Sequence, residues 1–254
     1  MEGLKQKNKK HMKTISATVI VVALAMVATI QTAQASITLG ELVSNSGSLT
    51  VGDKTFSGFS WTATGGTDGI RAALNDQASG LYVSAFVNNG VYYLDFSGMI
   101  NVNNLTGDND VTGDLKLDYT VTVNTPGNGI DMIDQNYTHN AIPGVAGNQI
   151  TISETVKSGV TIVGNSLLTL NPLDLSDPAT EYGDNLYFAP KSELDVTKDI
   201  QIAAAAGQLV GLSEVQQSFH QTAVPEPSTV VAGALLLLPF GISTLRILRK
   251  KMVS

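Results

Sequence analysis

Cysteine is absent from all 254 residues. Disulfides, thiolate metal sites and a Cys nucleophile are therefore excluded, and stability must come from a packed core. Histidine is nearly absent too: His11, His139 and His220 are the whole complement. None stands in an H-E-x-x-H or H-x-H pattern, so the readable zinc signatures are missing. No Gly-x-Ser-x-Gly elbow, Walker loop or dinucleotide fingerprint occurs. Trp61 is the single tryptophan, and aromatics make up 6% of the chain, which leaves few rings for stacking on sugars. These gaps argue against an enzyme, and no catalytic residue is assigned.

Positive charge is scarce in the middle of the chain. Between Ser36 and Val224, Lys54, Arg71, Lys116, Lys157, Lys191 and Lys198 face twenty acidic residues, a balance near −14 against −7 for the whole sequence. Such a surface repels nucleic-acid phosphates and anionic headgroups, so no nucleic-acid partner is expected. Divalent cations and neutral polymers are tolerated.

The missing cations sit at the two ends. Lys5, Lys7, Lys9, Lys10 and Lys13 precede an apolar run from Ile15 to Ile30, and Ala33-Gln34-Ala35 follows. A basic n-region, a short h-region and a small-x-small site describe a signal peptide. Residues 1–35 are expected to be removed by signal peptidase at Ala33 and Ala35, leaving Ser36 as the mature start. At the other end, Ser228 to Leu245 is an uncharged stretch of 18 residues, closed by Arg246, Arg249, Lys250 and Lys251. That length is the lower limit for crossing a bilayer, and the basic end stays inside by the positive-inside rule.

The body, 36–222, reads as one domain that is β almost throughout. Leu115, Leu117, Tyr119, Val121 and Val123 alternate with Lys116, Asp118, Thr120, Thr122 and Asn124. Period two over ten residues means one buried and one wet face. Ile150–Val156 and Leu194–Ile202 repeat the pattern less strictly. Further strands are expected at Ser48–Val51, Lys54–Ala63, Leu81–Val87, Val91–Phe96, Met99–Leu105, Gly159–Val163, Leu167–Leu170 and Leu186–Phe188. Asn88-Asn89-Gly90 is a hairpin turn signal. Ile70–Ala78 suits two helical turns. Leu209–Gln221 fits either period and is read as strand, and Asn171–Asp184 is read as a long surface loop. The expected fold is an all-β antiparallel sandwich of Ig-like or jelly-roll type, with an irregular barrel or β-solenoid as runner-up.

The tail carries a resemblance. Val224-Pro225-Glu226-Pro227-Ser228, the apolar span and the basic cluster, in that order, resemble the PEP-CTERM sorting signal of Gram-negative bacteria. The resemblance covers residues 223–251. It implies recognition near Pro225, Glu226 and Pro227 by an exosortase, transient membrane anchoring, and release to the cell surface or an exopolysaccharide matrix. Two prolines keep that backbone extended, a form a protease can bind. Val51–Trp61, Leu194–Ile200 and Val215–Gln221 are similar to segments of such substrates. The implied role is that of a structural protein of surface, biofilm or extracellular matrix, with polysaccharide as partner.

Three local readings complete the expectations. Asp108, Asp110 and Asp114 fall in Gly107–Asp114, where alternating oxygens suit Ca²⁺, although an ordinary Asp/Asn turn between strands is the plainer reading. No other cofactor is implied. Trp61, Tyr82, Tyr92, Tyr93 and Tyr187 offer a sugar-stacking platform if they share an exposed face, and core packing is the plainer reading. A glycan- or calcium-binding module is therefore the alternative function, with a two-carboxylate glycosidase behind it. No Asp or Glu reads as standing in a strongly apolar strand, and His139 reads as part of a polar loop.

Overall fold

The computed structural model describes residues 36–141, 144–170, 180–182 and 185–224. The expected signal peptide with Ala33 and Ala35, and the sorting segment with Pro225, Glu226, Pro227 and the basic cluster, lie outside the described residues. So does most of the expected loop 171–184. Among the described residues no helix is long and apolar enough to cross a membrane.

The chain begins with β1 (Ile37–Thr38) and helix α1 (Leu39–Ser44). Thr38 caps α1: its hydroxyl accepts from the Glu41 amide, and the Glu41 carboxylate accepts from the Thr38 amide. This reciprocal box satisfies two orphan donors and lets a six-residue helix form. The hydrogen bonds from Thr38 hold the Glu41 carboxyl below its ordinary range. Next come β2 (Leu49–Val51), β3 (Lys54–Thr64) and helix α2 (Asp68–Ser79). Thr67 caps α2. Strands β4 (Tyr82–Asn88) and β5 (Val91–Asn103) follow. Asn89 and Gly90 between them have φ of 50° and 81°, the pair of positive values a tight two-residue hairpin needs.

Two long strands come next, β6 (Val111–Val123) and β7 (Asn128–Ala141), one in each sheet. They are followed by β8 (Gln149–Ser158), β9 (Thr161–Leu170), β10 (Thr180–Tyr182) and β11 (Leu186–Lys191). Strands β12 (Glu193–Ala204) and β13 (Leu209–Ala223) close the domain. Among the described residues the strands form two antiparallel sheets. The first runs β1-β4-β5-β13-β7-β10, with β11 also on β7; the second runs β2-β3-β6-β12-β8-β9. The sheets pack face to face as a sandwich, the arrangement two half-apolar sheets adopt to bury one face each.

Between them lies an aromatic centre. Tyr119 stands within 6.1 Å of Phe59 and 5.8 Å of Phe96, centroid to centroid, and Phe219 lies 5.3 Å from Phe56. A register shift in β3 between Ser57 and Ser60 sends both Phe56 and Phe59 inward. A bulge does this by breaking the two-residue period once. Leu39, Leu42, Leu74 and Ala78 from the two helices extend the same core.

Three expectations need correction. Residues 136–140 are not a polar loop: they belong to β7, which is hydrogen-bonded to β13 along most of its length. Asn, Asp and Gln depress strand propensity, and tertiary pairing overrides that. Val91–Phe96 and Met99–Leu105 are one strand, as are Gly159–Val163 and Leu167–Leu170. Thr180–Tyr182, read as loop, pairs with β7.

Candidate functional site

The outward face of the first sheet gathers features that the second sheet lacks. Phe86 and Tyr93 are cross-strand partners on β4 and β5, and their rings stack 4.9 Å apart at 9°. Tyr82 projects from the same face of β4 and is 55% exposed. Tyr187 on β11 is 73% exposed and stands opposite Met132 of β7. The neighbouring Leu186 packs on the core, so the alternation sends Tyr187 outward. The outward side of the second sheet offers Ser57, Thr62 and Thr120 beside Lys116, Asp118 and Asp195, and among the described residues it bears no ring.

Polar side chains cross the space between these rings. Pairing places Ser84, Asp95, Gln216 and Asn136 in one row over four strands, with Ser97, Glu214 and Thr138 beside it. The Asn136 amide donates to Gln216 Oε1 at 3.5 Å, and the Thr138 hydroxyl donates to Glu214 Oε2 at 3.3 Å. Phe86 and Tyr187 are separated by three further strands. At about 4.8 Å per strand, this face offers roughly 15–20 Å of ring-flanked polar surface. His220 and Asp134 lie on the same face, 3.9 Å apart.

Two carboxylates crowd each other on this face, and Asp95 keeps its proton into the neutral range. Burial, then the charge of Glu214 and a hydrogen bond with it, push Asp95 up to about 7. The folded chain therefore holds a proton that an unfolded Asp releases near pH 4. This contribution to stability is complete below about pH 4 and is lost as pH rises through about 7. Asp95→Asn is expected to stabilise the protein by about 1 kcal/mol at pH 8, after discounting for solvent at this partly exposed carboxyl, and by nothing near pH 4. Thermal unfolding across that range checks it; an equal effect at both ends would mean that Asp95 does not retain its proton.

A second polar group lies inside the sandwich and corrects the expectation that no carboxylate stands in an apolar strand. Glu154 is 1% exposed on β8, between inward-facing Ile152 and Val156. Its cross-strand partner on β12 is Lys198, also fully buried, with Nζ 2.5 Å from Glu154 Oε2. Lys198 Nζ also donates to Gln135 Oε1 at 2.9 Å, across from the first sheet. The Gln135 amide donates to Ser166. Burial pulls the Lys198 amine below its ordinary range, against the opposing pull of Glu154. Glu154 Oε1, the Tyr119 hydroxyl and Gln217 Oε1 have no hydrogen-bond partner among the described residues.

At the rim, Lys54 is buried with Nζ 2.5 Å from Asp53 Oδ1 and 4.2 Å from the centre of the Tyr92 ring. A cleft of about 260 Å³ beside α2 is lined by Thr67, Ile70, Ala73, Gln77, Asn101 and Asn103. It carries no ionisable side chain.

The sequence-derived candidates divide accordingly. Tyr82, Tyr93 and Tyr187 share the outward face; Tyr92 and Trp61 pack toward the core. Asp108 and Asp110 fall in the turn between β5 and β6, where Asp110 Oδ1 accepts from the Ala206 amide at 3.1 Å. Asp114 lies within β6, and its neighbour Asp199 is raised to about 6 by burial and by Asp114. Among the described residues no group of three His, Asp or Glu is arranged to hold a metal ion. Ser36 opens the described residues.

Fold and face together define a β-sandwich in which, among the described residues, the outward face of the first sheet combines rings with polar side chains. No family model and no curated protein matches this chain. Among solved structures it is similar to TmCBM61 in complex with beta-1,4-galactotriose, at TM-score 0.28 and 10% identity, over 63% of this chain and 88% of that one. A TM-score of this size carries no functional inference.

Proposed function

We propose that this chain is a non-catalytic polysaccharide-binding sandwich that works at the cell surface or in an extracellular matrix. The Phe86–Tyr93 stack beside the Ser84–Asp95–Gln216–Asn136 row is the observation that supports it. Sugar rings present C–H faces that pack on aromatic faces, and rims of hydroxyls that donate to carboxylates and amides. A sheet face with both kinds of group, in a strongly acidic body, suits a neutral polymer better than an anionic one. The tail from Pro225 to Lys251 supports the route: export, passage through the inner membrane, and processing by an exosortase. In this reading the protein is a matrix component whose outer sheet engages the polymer around it.

Calorimetry and a glycan array with the secreted mature protein test the binding. Tyr93→Ala is expected to weaken polysaccharide binding about tenfold, equivalent to about 1.4 kcal/mol. Thr62→Ala on the opposite sheet is expected to change nothing. A protein that retains no glycan, or variants that bind alike, would sink the reading. The intact mass of the mature protein tests the processing at both ends.

A further inference from the structure

Lys198, Glu154 and Gln135 bring an amine, a carboxyl and a carboxamide together in the buried interior of the sandwich. The three come from different strands. Lys198 and Glu154 are neighbours in the second sheet, and Gln135 faces them from β7 of the first. We propose that this cluster is an autocatalytic cross-linking site, joining Lys198 Nζ to Gln135 Cδ in an amide bond with release of ammonia. The proposal is independent of glycan binding: it concerns the interior, not the outer face.

The reaction balances with the groups present. Burial weakens the hold of Lys198 on its proton, and in the first step that proton passes from Nζ to Glu154 across their 2.5 Å contact. The Nζ lone pair then attacks Gln135 Cδ and forms the new C–N bond. The π electrons of the carboxamide move to Oε1, which takes a proton from Glu154. The resulting Glu154 carboxylate collects a proton from Nζ and delivers it to Nε2. The Cδ–Nε2 bond breaks, ammonia leaves, and the carbonyl re-forms as Oε1 returns its proton to Glu154. One amine and one primary amide become one secondary amide and ammonia, with no oxidant and no cofactor. Glu154 ends protonated, holding the proton it took from Lys198.

The surroundings suit each step. Nζ is already 2.9 Å from Gln135 Oε1, so the carbon it must reach is one bond further. Holding both reactants in place converts a slow bimolecular step into an intramolecular one. Ser166 accepts from the Gln135 amide and fixes its plane. The Tyr119 hydroxyl, 2% exposed and without a hydrogen-bond partner among the described residues, lies close enough to feel the Glu154 charge. The product removes a buried charge pair, which is costly to keep in a core. It also ties one sheet to the other in a chain with no cysteine, where no disulfide can do so.

Peptide mapping of the full secreted chain is the test. Trypsin cuts after Lys116 and Lys157, so Gln135 lies in the peptide 117–157. The expected result is that peptide joined to one containing an uncut Lys198, at a mass about 17 Da below the sum of the two, the loss of one ammonia. Glu154→Gln, which preserves shape and removes the proton carrier, is expected to give both peptides linear. Recovery of the wild-type peptides linear, with cleavage after Lys198, overturns the proposal. So does an ammonia loss confined to a linear peptide. A Lys198–Glu154 amide, lighter by one water, overturns Gln135 as the acceptor.

Discussion

Glu154→Leu is expected to lower the unfolding free energy by about 3–5 kcal/mol in chains of full sequence mass, because it leaves a buried amine without its counter-charge. Lys198 then keeps only Gln135 Oε1 as an acceptor. Burial already depresses its pKa, and without Glu154 nothing offsets that, so the variant folds with the amine neutral. An unfolded lysine stays protonated up to about pH 10.4, so the unfolded chain binds more protons than the folded one. The stability of Glu154→Leu should therefore rise with pH up to that value. Adding Lys198→Met removes the stranded group, and the double variant is expected to recover most of the loss. Denaturant unfolding at pH 6 and pH 9 reads both effects. If single and double variants lose equal stability with no pH dependence, volume and not charge governs the site.

Half of this cluster was legible in the chain. In Ile150–Val156 the inward positions read Ile, Ile, Glu, Val; in Leu194–Ile202 they read Leu, Val, Lys, Ile, Ile. Each strand breaks its own pattern once, and the two breaks carry opposite charge. That is the signal of a buried pair, and taking each break as mere looseness concealed it. The third member, Gln135, was hidden for a different reason. Strand β7 alternates Ile133, Gln135 and Tyr137 inward with Asp134, Asn136 and Thr138 outward. Polar residues on both faces erase the period by which a strand is recognised. Only pairing with β13 shows it.

The outward face divides in the same way. The Asn89-Gly90 turn fixes the register of β4 and β5, and with it the facing of Phe86 and Tyr93. A hairpin's turn sets every pair beyond it, so this stack follows from local chemistry. Asp95 meets Glu214 only because β5 pairs with β13, over a hundred residues away. No local pattern encodes that contact. The all-β architecture needed no such partner information: alternation and turn residues alone separate a sandwich from a helical fold.

Phe219→Ala is expected to cost about 3–5 kcal/mol, the range for emptying a fully buried aromatic site. Phe219 has no exposed surface, and its ring lies 5.3 Å from Phe56 and 6.5 Å from Tyr119. It therefore joins rings from both sheets, and removing it opens the sandwich at its centre. Its strand, β13, sits between β5 and β7 and holds Glu214 and Gln216 on the opposite side. Loss of Phe219 should thus loosen the outward face as well, which Phe219→Leu, keeping most of the volume, should not. Thermal unfolding is expected to fall by roughly 10 °C for Phe219→Ala and by far less for Phe86→Ala, whose ring is half-buried on the outer face. A Phe219→Ala protein as stable as Phe86→Ala would mean that the sheets are held elsewhere, and a bond between Lys198 and Gln135 is the first place to look.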